Sequence, residues 1–214
     1  EYDGEDVDSK MDRVMRAVKA AGADGMLVTA LDEIAWTLNV RCSDVEFNPV
    51  TISYAYLSDT VNVFFVDERK IDADVRAYLK ECGVEVAPYD SVEKFLEKIK
   101  DATVLLDPNK TSDTIARSLL NCGTVYAQSP VALLKAVKND VQIEGTRKAM
   151  ERDGVALVKL FMWIEQNVAS GSITEYDVAQ KVQEFRAASP LYRGESFGLI
   201  AGYDEHGAIV HYEP

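Results

Sequence analysis

Few side chains in this chain have the types and spacing that chemistry requires. The two histidines, His206 and His211, both lie near the C-terminal end of the sequence. The three cysteines, Cys42, Cys82 and Cys122, are odd in number and widely spaced, which matches no zinc-binding pattern. We expect them to be three reduced thiols, as in a cytosolic protein. None has a sequence context that marks an activated nucleophile.

The other common site motifs are not found in the sequence. No spacing of Asp and Glu resembles a metal-binding loop, and no glycine-rich stretch has the pattern that cradles a phosphate. The nucleophile-elbow pattern of the hydrolases does not occur either. The residue types and their spacing therefore predict no intrinsic metal centre and leave the function open.

Composition and charge exclude several classes of protein. Lys and Arg number 23 and Asp and Glu 36, which gives a net charge of −13 and no basic footprint for nucleic acid. The sequence contains no run of about 18 apolar residues and therefore predicts no transmembrane helix. The acidic segment 1–6 is unlike a signal or transit peptide. We expect a cytoplasmic protein with neither a nucleic-acid nor a membrane partner.

Residues 1–137 alternate between helical and strand patterns, which predicts an α/β domain with a mixed sheet flanked by helices. Serine and aspartate caps, among them Ser9 for the first helix, and glycine stops delimit the elements. The helical patterns cover 9–21, 31–38, 72–81, 91–99 and 112–120, and the strand patterns cover 25–29, 51–57, 60–66, 84–86, 103–107 and 124–126.

Residues 138–214 have a different character. The pattern predicts a long helix over 140–169 with one apolar stripe that includes Met150, Phe161 and Val168. Thr174 is predicted to cap a second helix, with Asp177 three residues on in a capping-box position. Two strand-like runs, 196–201 and 208–212, predict a hairpin. A hairpin on two helices leaves an open sheet edge, so we interpret this part as the beginning of a larger α+β domain.

Three stretches carry a resemblance to a known family. The block TALDEIAW at 29–36 runs on to the Asn-Pro-Val of 48–50, a second stretch covers 144–158, and Ser196-Phe197 precedes the run GAIVHYEP at 207–214. Together they resemble the X-Pro aminopeptidase family (aminopeptidase P), within the creatinase and methionine-aminopeptidase superfamily. Tyr2 and Gly4 resemble the linker that opens the middle domain of its three-domain cytosolic members.

The resemblance implies a fold and an activity. Residues 1–137 would be the middle, non-catalytic domain, similar to the creatinase N-terminal domain, and 138–214 the first part of the pita-bread metallopeptidase domain. The family releases the N-terminal residue from peptides with proline second, using two metal ions, commonly Mn²⁺. In the family the metal ligands follow the HYxP segment, so the resemblance implies that no metal binds this chain and that the chain alone is inactive. It also implies two partners, the remaining catalytic domain and a second subunit of a homodimer.

The resemblance also assigns roles to particular residues. His211 matches an active-site histidine that contacts the substrate near the scissile peptide, where it could donate to a developing negative charge. Phe197 matches an aromatic that lines the substrate pocket. Outside the resemblance, we expect His206 to be solvent-exposed in a loop, and Arg41 to form a structural ion pair with Asp44.

Two other interpretations remain open. A non-catalytic domain similar to aminopeptidase P occurs in a histone-chaperone subunit, and the net charge of −13 would suit basic histones. A prolidase or creatinase relative would share the fold and act on another substrate. The retained His211 favours a peptidase over the histone-binding module, and the TALDEIAW block favours the aminopeptidase over the other enzymes.

Overall fold

The chain divides between Asn139 and Asp140 into two compact units, and a six-stranded mixed sheet is the centre of the first. The computed structural model describes residues 2–212. The strand order is β4-β3-β2-β1-β5-β6; β2 is antiparallel to β1 and β3, and the other neighbours are parallel. The strands are β1 (Gly25–Val28), β2 (Ser53–Ser58), β3 (Asn62–Val66), β4 (Val84–Pro88), β5 (Thr103–Leu106) and β6 (Gly123–Tyr126).

Helices cover both faces of this sheet, as the alternating pattern predicts. Val14, Ile34 and Leu79 belong to the core on one face, whereas Leu96 and Ile115 belong to the core on the other. Burial on both faces explains why β1 is apolar at every position. The helices are α1 (Val7–Ala20), α2 (Leu31–Leu38), α3 (Ala73–Glu81), α4 (Val92–Leu96), α5 (Asp113–Arg117) and α6 (Pro130–Ala136).

The start of α1 differs from the prediction. The sequence suggests Ser9 as the cap, but the helix begins at Val7 and its cap is Asp6, whose carboxylate accepts a hydrogen bond from the Ser9 backbone N–H at 2.8 Å. Asp and Ser are both good caps, and here the aspartate lies at the position that reaches the free N–H groups of the first turn.

The TALDEIAW block links the end of β1 to α2, and its side chains are mostly buried. Trp36 is 6% exposed in the core. Glu33 is only 1% exposed; it pairs with Lys110 and accepts a hydrogen bond from the Ser129 hydroxyl at 2.5 Å. Because a buried carboxylate needs partners, Glu33 joins α2 to the segments that follow β5 and β6.

The predicted ion pair between Arg41 and Asp44 is wrong. Asp44 pairs with Lys70 at 2.5 Å and also accepts a hydrogen bond from the backbone N–H of Ile52. Arg41 donates instead to main-chain carbonyls, including that of Ala35 at 2.9 Å. Closeness in sequence misled the prediction, because the fold brings a more distant cation to the carboxylate.

The second unit contains two packed helices, α7 (Asp140–Asn167) and α8 (Glu175–Ala187). Ala156, Leu160 and Val182 are the buried side chains of these helices. Arg186 on α8 reinforces the pair, since it bonds the Asp153 carboxylate of α7 at 2.6 Å.

The apolar stripe predicted for α7 coincides only in part with its buried face, since just two of its apolar members are half-buried. Met150, Phe161 and Val168 are 64%, 60% and 51% exposed, whereas Ala156 and Leu160 are buried. The helix carries apolar residues on two sides, so periodicity alone does not reveal which side α8 covers.

The predicted hairpin over 196–201 and 208–212 is wrong as well. No strand forms within these runs as far as Tyr212, and a 3₁₀ helix, Asp204–Ala208, lies between them. Phe197 and Val210 are 63% and 81% exposed, so no apolar surface holds this segment as a sheet. An isolated hairpin is marginal in water, which accounts for the difference.

Candidate functional site

The candidate site lies at the N-terminal end of α8. Thr174 caps this helix in a capping box: its backbone N–H donates to the Asp177 carboxylate at 2.8 Å, and the Asp177 N–H donates to the Thr174 hydroxyl at 3.2 Å. The sequence predicts both partners, and the structure confirms them. The box fixes the first turn of α8 and thereby the position of the next residue, Glu175.

The carboxylate of Glu175 gathers three donors from the C-terminal segment. It accepts hydrogen bonds from the Tyr203 backbone N–H and from the Tyr212 hydroxyl. His206 Nδ1 lies 2.9 Å from the same carboxylate. Since an ionised carboxylate only accepts, Nδ1 carries the proton in this contact. The rings of His206 and Tyr212 also stack, with centroids 4.7 Å apart.

These contacts change the acidity of two groups in opposite directions. The hydrogen bond from Tyr212 is the main cause that lowers the pKa of Glu175, and the contact with His206 acts in the same direction. The same bond raises the pKa of Tyr212, because losing its proton would place two negative charges together. Glu175 is therefore an anionic anchor at neutral pH.

A cavity of about 790 Å³ adjoins this cluster, and its lining comes from α7, the start of α8 and the C-terminal segment. Ile164 and Val168 supply an apolar wall, while Glu175 and His206 supply polar groups. Concave sites that combine an apolar wall with a few polar groups are typical places for ligands.

The two site residues predicted from the sequence lie apart from this cavity lining. His211 is exposed, has a left-handed backbone with φ of 57°, and makes no hydrogen bond among residues 2–212. Phe197 is 63% exposed. Neither residue lines the cavity, and their roles stay a prediction.

His206 is partly exposed, in line with the expectation of a solvent-exposed residue, but it also has a bonded partner that the sequence does not predict. Its side chain is 43% exposed and bonded to Glu175. Sequence reasoning also misses Glu175 and Tyr212, because their contact joins positions that are far apart in the chain. The Thr174 cap is visible in the sequence, but no spacing links position 175 to the segment 203–212.

The described residues do not fit a metal centre. Across 2–212, no three His, Cys, Asp or Glu side chains lie together as ligands would. The part of the chain that the structure describes also contains no helix that is long and apolar enough to cross a membrane. The Glu175 cluster can anchor a loop and hold protons, but its single carboxylate falls short of a metal ligand set.

Comparison with known proteins decides the family. A model of the creatinase/prolidase N-terminal domain matches residues 1–142, which is most of the chain. The chain belongs to the creatinase/prolidase N-terminal domain family. Beyond that domain, the model of metallopeptidase family M24 matches residues 144–214.

Curated relatives of this creatinase-family chain include named aminopeptidases. An Xaa-Pro aminopeptidase of Drosophila melanogaster is 36% identical over 221 residues, which cover 100% of this chain and 36% of that protein. Aminopeptidase P2 of Arabidopsis thaliana is 32% identical over 245 residues, covering 100% of this chain and 34% of that protein. The chain thus spans roughly a third of the length of these relatives.

Solved structures agree with this placement. X-prolyl aminopeptidase from Caenorhabditis elegans, described as a cytosolic enzyme with a di-nuclear active site, has a TM-score of 0.93 at 29% identity, over 100% of this chain and 36% of that one. An Xaa-Pro dipeptidase from Bacillus anthracis has a TM-score of 0.63 at 17% identity, over 86% of this chain and 49% of that one, and it shows the fold alone. The matches confirm the resemblance to X-Pro aminopeptidases and favour it over the histone-binding and prolidase alternatives.

Proposed function

We propose that this chain provides the creatinase N-terminal domain and the first part of the M24 domain of an Xaa-Pro aminopeptidase. The enzyme would hydrolyse the first peptide bond of substrates with proline in second position. The observation that carries the proposal is the continuous match of the whole chain to such enzymes, with a TM-score of 0.93 to the C. elegans protein.

We assign residues 1–137 to the non-catalytic domain and 138–214 to the catalytic one. Two observations support this assignment: the division into compact units between Asn139 and Asp140, and the change of matching family model after residue 142.

Within the second part we propose that His211 contacts the substrate beside the scissile bond. An imidazole N–H there would donate to the carbonyl oxygen as negative charge develops on it. The exposure of His211, and its lack of hydrogen bonds among the described residues, leave the ring available for such a contact. Phe197, 63% exposed, would pack against the substrate and exclude water.

We propose two Mn²⁺ ions for the enzyme, by analogy with the di-nuclear site of the C. elegans relative. Among residues 2–212 no three candidate ligand side chains lie together, and we propose no metal ligand within this range. We further propose a cytosolic location, a peptide substrate and a homodimeric enzyme, in which this chain contacts the remaining catalytic domain.

The test is an assay of the natural protein that contains this sequence. With Mn²⁺ added, it should cleave a peptide that begins Xaa-Pro, and should cleave the matched Xaa-Ala peptide much more slowly. His211→Ala should lower kcat by roughly 10²-fold, the usual effect of removing one donor to a developing oxyanion. Lys159→Ala, in an exposed side chain of α7, is the matched control and should have no effect. Folded protein that cleaves neither peptide would refute the proposal.

A further inference from the structure

The segment that carries His211 is held on both sides by one carboxylate. The Glu175 carboxylate accepts hydrogen bonds from the Tyr203 backbone N–H and the His206 imidazole, which lie upstream of His211. It also accepts one from the hydroxyl of Tyr212, which immediately follows His211. Its side chain is 16% exposed, so these bonds are partly shielded from water. The rings of His206 and Tyr212 also stack, so two of the residues bonded to Glu175 contact each other.

His211 itself has an unusual backbone. Its φ of 57° is a left-handed conformation, which is unfavourable for a non-glycine residue. Such a conformation persists only where the surrounding structure imposes it, and it is common at functional sites. The ring of His211 is exposed and unbonded among residues 2–212, so it does not impose the conformation. The next residue, Tyr212, is held by the hydrogen bond from its hydroxyl to the Glu175 carboxylate.

We propose that Glu175 is a positioning residue, which sets the orientation of His211 by holding Tyr212 and His206. This inference rests on the proposed function. A carboxylate suits the role because its two oxygens accept several donors at once, which an amide does less well. Among residues 2–212 no hydrogen bond joins Glu175 to His211, so Glu175 would act through Tyr212, the next residue in the chain, and through His206, five positions upstream.

Glu175 can be replaced without removing the helix that carries it. The capping box of Thr174 and Asp177 satisfies the first turn of α8 independently of Glu175. Glu184, on the same helix, provides a matched control: its side chain is 65% exposed and pairs with Lys181.

The first experiment measures order in this chain by NMR. We compare ¹⁵N heteronuclear NOE values over 203–212, and ring contacts between His206 and Tyr212, in the unsubstituted chain, Glu175→Ala, Glu175→Gln and Glu184→Ala. Because the chain has only two histidines, selective labelling resolves both rings. Glu175→Ala should loosen the segment and abolish the ring contact, Glu175→Gln should do so less, and Glu184→Ala should do neither. An unchanged segment in Glu175→Ala would overturn the inference.

The second experiment measures Xaa-Pro cleavage by the natural protein that contains this chain. Glu175→Ala should lower kcat by about 10–100-fold with little change in KM, since misplacing a group that acts in the transition state affects the chemical step. Glu175→Gln should restore part of the rate, and Glu184→Ala should match the unsubstituted protein.

A double-mutant cycle separates positioning from general stability. If Glu175 acts through His211, adding Glu175→Ala to His211→Ala should cause little further loss. An equal loss in both backgrounds would overturn the inference. No cleavage by the unsubstituted protein would instead overturn the proposed function, and the NMR comparison would still decide whether Glu175 orders the segment.

Discussion

Replacing Lys110 with methionine would leave the Glu33 carboxylate buried without its cation. Glu33 is 1% exposed, and among residues 2–212 its side chain has two bonded partners, Lys110 and Ser129. Breaking a fully buried ion pair costs about 3–5 kcal/mol, because an uncompensated charge stays in a low-dielectric environment. Since Lys110 is 35% exposed, water reaches this pair and the loss should lie at the lower end, about 3 kcal/mol. We therefore expect Lys110→Met to lower the free energy of unfolding of the first unit by that amount.

The converse substitution should cost less. Lys110 is 35% exposed, so water can hydrate its ammonium group when Glu33→Gln removes the charge. The remaining loss is one charge-assisted hydrogen bond, or about 1–3 kcal/mol. The double variant, Lys110→Met with Glu33→Gln, should lose less stability than the sum of the two single variants, because it contains no charge of this pair without its partner.

Urea unfolding followed by tryptophan fluorescence measures these changes. Trp36 lies in the first unit, and Trp163→Phe removes the other of the two tryptophans. Lys19→Met is the matched control: its pair with Asp59 is 55% exposed on both sides, and such pairs contribute about 0–1 kcal/mol. Equal losses for Lys110→Met and Lys19→Met would refute the reasoning.

Three further predictions concern single contacts. Lys70→Met should raise the pKa of Asp44 from about 2 towards its ordinary value, because the Lys70 hydrogen bond is the main cause of the lowering. Because the pKa of Asp44 is lowered in the folded state, ionised Asp44 stabilises the fold at pH values above its ordinary pKa, and this stabilisation is lost as the pH falls towards about 2. The free energy of unfolding of the variant should therefore fall less on acidification than that of the unsubstituted chain. Tyr212→Phe should likewise raise the pKa of Glu175, and ¹³C carboxyl titration measures both shifts; an unchanged pKa in either variant contradicts its prediction. Asp6→Ala should cost about 1 kcal/mol in urea unfolding through loss of the α1 cap, and an unchanged midpoint would contradict this.

The first unit follows from the sequence because its signals are local. Short apolar runs between glycine stops and polar caps predict all six strands, and the bounds of α2 agree with the predicted 31–38. The antiparallel pairing of β2 and β3 follows from the turn at Ser58 and Asp59. The periodicity overestimates α4 and α5, which end earlier than 99 and 120.

The candidate site could be predicted only in part, because its contacts join distant positions. The Thr174 cap is local and was predictable, whereas the bonds of Glu175 span 28 to 37 positions. The exposed apolar side of α7 and the missing hairpin have one physical cause. Periodicity shows that a surface is apolar, but it does not show which other segment covers it.

The partners of Glu33 follow it by 77 and 96 positions in the chain. During synthesis at about 5–20 residues per second, the helix that carries this glutamate would emerge many seconds before the serine that completes its bonding. Until then the Glu33 carboxylate must stay hydrated, and this requirement opposes early packing of α2 against the sheet. The first unit should accordingly acquire its final structure late and in one concerted step, once the segment through Ser129 has left the ribosome.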